Sequence, residues 1–262
     1  AYRTAKILNF DITVFAPKGR GEAGTLEMVH FLKKVLEERY DGICISPIAD
    51  LRVEKLLQKM AEKGVEVIFI LSAFDSVPYR TLIGTDSYQC GRSTGEAVRE
   101  ALGADGAVGI IKWKDNLIET VEDRYHGVVD VLKENRIPYY DMTGPGEPTA
   151  EEATKLTDRL LTEHPDISVL CATNVGWGLA FARYLKSKGK KVKLVTVDFT
   201  DEVGEFMKAG YVDAAIAQRP ESWGSMTLEK IEAVFEGQSI PKTIDTGTYP
   251  VTPANIRIYV KD

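Results

Sequence analysis

The sequence predicts an α/β protein made of two Rossmann-like lobes, with parallel sheets flanked by helices and three interlobe crossings. Short apolar runs rich in Val and Ile alternate with longer amphipathic stretches, the pattern of parallel strands joined by helical crossovers. The runs are continuous rather than alternating, so the strands are covered on both faces. One strand–turn–helix–strand unit also occurs twice, as DGICISPIADLRVEKLLQKMAEKGVEVIFI at 41–70 and DISVLCATNVGWGLAFARYLKSKGKKVKLVTV at 166–197. Two copies of one unit imply two sheets rather than one long one.

In chain order, strands are expected at residues 12–16, 42–46, 65–71, 81–85, 107–112, 137–141, 168–172, 192–198 and 213–217. Helices are expected near 25–39, 51–63, 88–102, 118–135, 149–163, 175–188, 201–209 and 221–236. Gly64 and Gly189 sit where a helix C-cap calls for a left-handed residue. No low-complexity linker separates the halves, so short crossings are placed near 103–105, 218–220 and 245–247. The first lobe is then 1–103 plus 219–246, and the second 104–218 plus 247–262.

Composition removes several function classes. A chain of 262 residues with 44% hydrophobic content buries a substantial core. Its formal charge of −6 lacks the basic face that nucleic-acid binding requires, so no nucleic-acid partner is expected. No apolar run reaches the ~18–20 residues of a membrane-spanning helix, and AYRTAKILNF has no signal-peptide layout, although an export signal could lie upstream of Ala1. Cys44 and Cys171 sit inside apolar strand runs and Cys90 stands alone, so the three read as small hydrophobes rather than disulfide partners or ligands.

Catalytic and metal chemistry find little support. His30, His126 and His164 are scattered, with no i,i+4 pair and no clustered carboxylates, and there is no G-x-S-x-G elbow. GRGEAG at 19–24 satisfies G-x-G-x-x-G, but Pro17 and Lys18 hold its first glycine away from the strand end. The nearest acid, Asp41, opens the following strand instead of closing it. A surface turn is the plainer reading than a dinucleotide site. No catalytic residue, metal or cofactor is expected.

Polar residues gather instead at strand carboxyl ends, where open α/β sheets bind ligands. Thr173 and Asn174 follow one strand, Asp198 ends the next and Gln218 the one after. Each alone is equally a cap or turn former, but together they offer the donors and acceptors that a polyhydroxyl ligand needs. Arg124, in ETVEDRYHG, would add a fork of donors, its plainer role being an ion pair with Asp123 or a neighbouring Glu. Trp113, Trp177 and Phe199 follow strand ends and could lie against a sugar ring, packing being the commoner role of any one.

At these residues the chain resembles the ribose-type branch of periplasmic sugar-binding proteins (type I), whose fold is shared with LacI-type effector domains. The matching pieces are DGICISPI (41–48), GTDSYQCGRSTGE (84–96), RYHG (124–127), ATNVGWGLA (172–180), VTVDFTDE (195–202) and AAIAQRPESWG (214–224). The resemblance implies that Arg124, Asn174, Asp198 and Gln218 hydrogen-bond a sugar and that the lobes close around it. Where sugar binders often carry an Asp-Arg pair, this chain has Leu71 and Ser72, which weakens the first-lobe clamp at Ser72 or moves it to Asp75. Val175 replaces an acid that often follows the Asn.

A second departure lies at the start. YRTAKILNFDITVFAP reads as the end of the family's first helix, so the opening strand of the first lobe is missing. Two ladder edges would then be unpaired, inviting oligomerisation or strand donation. The resemblance implies a non-catalytic solute-binding protein, periplasmic or a membrane-anchored lipoprotein, that hands a sugar or polyol to an ABC permease. The alternatives are the ligand-sensing domain of a LacI-type regulator, or of a sensor kinase or chemoreceptor system. The ending DTGTYPVTPANI looks more like a transport protein's.

Overall fold

The computed structural model describes residues 1–19, 21–103, 105–113, 119–146 and 148–259. In chain order its elements are α1 (Tyr2–Leu8), α2 (Gly21–Glu37), β1 (Gly42–Ile45), α3 (Leu51–Glu62), β2 (Glu66–Ile70), β3 (Thr81–Gly84), α4 (Ser87–Leu102), β4 (Ala107–Trp113), α5 (Glu119–Glu134) and β5 (Tyr139–Gly144). There follow α6 (Ala150–Glu163), β6 (Ile167–Ala172), α7 (Val175–Lys188), β7 (Lys193–Val197), α8 (Asp201–Lys208), β8 (Ala214–Ala217), α9 (Pro220–Phe235), β9 (Thr243–Asp245) and β10 (Tyr249–Val251), then a 3₁₀ turn at Ile256–Ile258. The chain divides into two compact units, Ala1–Thr85 with Arg219–Thr246, and Asp86–Gln218 with Gly247–Asp262.

The helix starts are written in the sequence. Asp50, Asn174 and Thr200 each accept an amide hydrogen bond as N-caps. Thr149 and Glu152 close a reciprocal capping box, and Pro220 opens α9 where its missing N–H costs nothing. Gly64 and Gly189 do adopt positive φ, 85° and 61°.

The first unit holds a four-stranded sheet in the order β1-β2-β3-β9, every neighbouring pair parallel. Alternate residues of β1 and β2 face opposite layers. Ile45, Val67 and Phe69 join a core with Met28, Leu32, Val53 and Leu57 of α2 and α3, whereas Cys44 and Ile68 join Ile231 of α9 on the other face. The second unit holds a six-stranded sheet, β10-β8-β7-β6-β4-β5, antiparallel only at its β10 edge. The repeated sequence unit appears as β1-α3-β2 in one unit and β6-α7-β7 in the other, each a parallel neighbouring pair.

Several boundaries differ from the sequence expectation. The first exchange of chain between units falls at Thr85/Asp86 and not at 103–105, so α4 belongs to the second unit. The cause is close backbone packing of α4 on α5: a Cβ on Gly91 would lie 2.1 Å from the Arg124 carbonyl oxygen, and one on Gly127 2.2 Å from the Tyr88 oxygen. Residue 104 of the expected crossing and residue 118, the expected start of α5, lie outside the described residues. Residues 12–16 form no strand: they run without a ladder partner, and Val14 and Phe15 are exposed. The GRGEAG stretch is not a loop but the entry to α2, with Gly21–Gly24 already helical and Glu27 accepting the amides of Lys18 and Gly19; Arg20 lies outside the described residues. Strand β5 starts two residues later than expected, because Arg136 takes a left-handed turn (φ 56°) as α5 ends and Pro138 has no N–H for the ladder.

Candidate functional site

In the second unit the strands β8, β7, β6 and β4 lie side by side and parallel. Their carboxyl ends therefore present a row: Gln218, Asp198, Thr173 with Asn174, and Trp113. Arg124 joins this row from α5, its Nη1 donating to the Thr173 carbonyl at 3.4 Å. Thr196 Oγ1 donates to the Asn174 carbonyl at 3.4 Å, which ties the ends of β6 and β7 together. Gln218 Nε2 donates to Asp198 Oδ1 at 2.6 Å. The sequence-predicted Arg124, Asn174, Asp198 and Gln218 are thus brought to one end of one sheet.

Local structure fixes each of these groups. Asp198 leaves β7 with φ 69°, a left-handed conformation that Asp tolerates better than most residues and that turns its carboxylate off the strand line. Its own amide stays in the ladder, donating to the Ile216 oxygen at 2.9 Å. Asn174 is the N-cap of α7, where Oδ1 accepts from the Trp177 amide at 3.0 Å, which leaves the amide nitrogen for other work. Helix α7 sits close on β7 because a Cβ on Gly178 would meet Thr196 Oγ1 at 2.1 Å. Arg124 is only 7% exposed, and its backbone is clamped by Gly91 of α4.

The hydrogen-bond ledger of this row is incomplete. Among the described residues, six buried side-chain polar atoms have no partner, and four of them lie here: Trp113 Nε1, Arg124 Nε, Asn174 Nδ2 and Gln218 Oε1. Buried polar groups left unpaired cost about 1–3 kcal/mol each, more for a charge. Three donors and one acceptor are thus held ready beside a carboxylate, an arrangement that suits hydroxyls able to give and accept at once.

The aromatic expectations separate. Trp113 is half-buried, with its ring backed by Gly146 and its N–H unpaired. Phe199 packs against the core from outside and meets Tyr259 edge-on at 6.3 Å. Trp177 is corrected: it is fully buried in the core against Phe181, and its Nε1 donates to the Pro145 carbonyl at 3.0 Å. Its side chain projects from the first turn of α7 into the layer below, so it cannot face a ligand.

In the first unit, Leu71 follows β2 with φ 67°, as Asp198 follows β7. A bulky aliphatic residue holds this conformation only under strain, and the Leu71 amide is tied to the Ile83 oxygen at 3.0 Å. Ser72 next to it is half-buried, and Asp75 is exposed. Sequence reasoning missed Thr85, whose Oγ1 is buried and unpaired where the chain leaves β3. The same strand-end rule that picks out Thr173 would have found it, but in GTDS the eye goes to Asp86, which caps α4.

Burial disfavours the thiolate form of two of the three cysteines. Burial pushes Cys44 up to about 11 and Cys171 up to about 12. His126 pairs with Glu122 on its own helix, and His164 stacks on Tyr140. Among the described residues no group of three His, Cys, Asp or Glu side chains could hold a metal ion, and no helix is long and apolar enough to cross a membrane.

Two parallel α/β units, one presenting a row of unsatisfied polar groups at its strand ends, define a small-molecule-binding protein of the type I periplasmic fold. The chain matches the family described as periplasmic binding protein domain over residues 1–239, and it belongs to that family. It is 21% identical over 220 residues to the ribose import binding protein RbsB of Bacillus subtilis, covering 81% of this chain and 69% of that protein. To the RbsB of Haemophilus influenzae it is 25% identical over 207 residues, covering 77% and 68%. Among solved structures, an ABC transporter solute-binding protein from Burkholderia graminis in complex with D-arabinose superposes with a TM-score of 0.84 at 23% identity, over 100% of this chain and 91% of that one. A putative LacI transcriptional regulator from Bacteroides fragilis shares the fold at a TM-score of 0.78 and 19% identity, over 99% and 91%.

Proposed function

We propose that this chain is the solute-binding component of an ABC importer, working outside the cytoplasmic membrane and capturing a sugar or similar polyol for its permease. The ligand is held by Arg124, Asn174, Asp198 and Gln218, with Trp113 or Phe199 against its ring and Ser72 or Asp75 contributing from the first unit on closure. The observation that supports this reading is the concentration of unpaired buried polar atoms on Trp113, Arg124, Asn174 and Gln218, residues the sequence singles out independently. A binder without turnover needs those groups and nothing more. The relatives named for ribose import and the neighbour holding D-arabinose support a pentose as the first candidate. The likeness to a LacI-type regulator keeps a sensing role as the second reading, and the same row would serve it.

A thermal-shift screen over pentoses, hexoses, inositols and amino acids finds the ligand. At ~100 times its Kd it stabilises by about 2.7 kcal/mol. Calorimetry on a folded Asp198→Ala protein then reads the site: affinity falls by ~10-fold or more. Unchanged affinity would remove Asp198 and its row from the site. Product analysis after prolonged incubation returns the sugar unaltered, and any conversion would overturn the non-enzymatic reading.

A further inference from the structure

We infer that Trp113 is a hydrogen-bond donor to the bound sugar, its indole Nε1–H meeting a ligand oxygen beside the one that Asn174 Nδ2 holds. This rests on the proposed sugar-binding function, and it gives the edge of the indole, not its face, to the ligand. The chain has three tryptophans. Trp177 Nε1 donates to the Pro145 carbonyl at 3.0 Å, and Trp223 Nε1 to Thr246 Oγ1 at 3.1 Å. Trp113 Nε1 is buried and, among the described residues, meets no acceptor. A buried indole N–H ordinarily finds a partner, because leaving it unmet carries the full cost of its desolvation.

Strand geometry sets this donor beside Asn174. β4 and β6 pair in parallel, with Ile110 opposite Cys171. The same register, carried past the end of the ladder, sets Trp113 level with Asn174, whose backbone is still extended at φ −156° and ψ 162°. Alternate residues of a strand share a face. Ile111 of β4 and Leu170 and Ala172 of β6 point into the layer that holds Trp177 and Phe181 of α7, so Trp113 and Asn174 lie on that same face. They stand one strand spacing apart, ~4.8 Å.

Gly146 fixes which edge the indole presents. A Cβ there would lie 3.1 Å from Trp113 Cε3 and 3.2 Å from Cζ3, so these atoms pack against the Gly146 backbone. They belong to the long edge of the indole opposite Nε1, and the edge that carries the N–H turns away from Gly146. Asn174 Oδ1 is engaged by the Trp177 amide while its Nδ2 is unpaired. Two donors level with each other on neighbouring strands thus have no acceptor among the described residues. An indole N–H only donates, so the ligand supplies oxygen lone pairs here, from adjacent hydroxyls or from a hydroxyl next to a ring oxygen. A methylene in that place leaves Trp113 unpaired, and the residue thereby selects sugars oxygenated at this position over their deoxy analogues.

The test reads the indole N–H resonances of the isotope-labelled protein, assigned by triple-resonance NMR, with D-ribose, D-arabinose and the other pentoses and hexoses each added to saturation. A sugar that stabilises the protein moves the Trp113 resonance downfield and leaves that of Trp177 in place. Trp113→Phe, which keeps a flat ring face and removes the donor, weakens affinity for that sugar about ten-fold. The resonance is read on the parent protein, so it decides the matter where Trp113→Phe does not fold. An unmoved Trp113 resonance overturns the proposal. So does a Trp113→Phe protein that binds as tightly as the parent, which would put the ring face on the sugar. Asp198→Ala, measured beside it, keeps the two readings apart. Affinity lost there with Trp113 unmoved removes Trp113 and retains the row, whereas a parent protein that no sugar stabilises overturns the sugar-binding function and the Trp113 contact together.

Discussion

Arg124 sets two demands against each other. A guanidinium taken out of water is stable only when its donors are met, yet among the described residues its side chain reaches a single carbonyl at 3.4 Å and its Nε reaches nothing. On the proposed function a bound hydroxyl relieves that imbalance, and the residue then trades stability of the empty protein for affinity. Arg124→Met, which keeps length and removes charge, is expected to leave the empty protein as stable as the parent or more so, while sugar affinity drops by ~10- to 100-fold. Thermal denaturation and calorimetry on one preparation read both quantities. A variant that loses stability and keeps affinity would show that Arg124 holds the fold and not the ligand. Gln218→Leu makes the complementary case, since it removes an unpaired acceptor and at the same time frees Asp198 Oδ1 from its 2.6 Å partner. Affinity falls here too, but by less than for Asp198→Ala, because the carboxylate remains to accept.

At the scale of elements, the position of Arg124 depends on how closely α4 and α5 can approach. Gly91→Ala places a methyl 2.1 Å from the Arg124 carbonyl oxygen, a clash with backbone that no rotamer relieves. The helices must part, at a cost of about 1–3 kcal/mol, which lowers Tm by roughly 2–4 °C per kcal/mol. Affinity falls with it, although Gly91 touches no ligand. Glu96→Ala on the same helix gives up only an exposed pair with Arg99 and leaves both readings within error. The sequence shows the glycines of α4 but not what they meet. Its continuous apolar runs make β1 to β8 legible, but the run at 12–16 forms no strand and the short β9 and β10 carry no such run, while the Asp, Asn and Thr caps make most helix starts legible. The exchange of chain at Thr85/Asp86 has no compositional mark, so composition alone puts it about one helix too late. Likewise Trp113 and Trp177 both follow strand ends in one dimension. Only the direction of the side chain, outward from β4 or inward from α7, assigns one to the candidate site and the other to the core.

For the whole molecule, the two units hold separate cores, one built around Leu32, Leu57, Met60 and Phe69, the other around Leu170, Trp177, Phe181 and Leu185. A chain with two such cores is not bound to unfold in one step. The first unit has a sheet edge open to a cavity and Val14 and Phe15 in solvent, whereas the central strands of the second are paired on both sides. Scanning calorimetry of the empty protein is therefore expected to resolve two transitions, the lower from the first unit, as hydrogen exchange in β1 and β2 taken through that transition verifies. On the proposed function, saturating sugar is expected to raise the upper transition most, because Arg124, Asn174, Asp198 and Gln218 lie in the second unit. The lower one is expected to rise less. In Asp198→Ala the rise of the upper transition at a given sugar concentration is expected to shrink, while in the empty protein that transition falls slightly, because Ala holds φ 69° less well than Asp. A ligand that moves only the lower transition would place its main contacts in the first unit and sink the assignment of the row in the second.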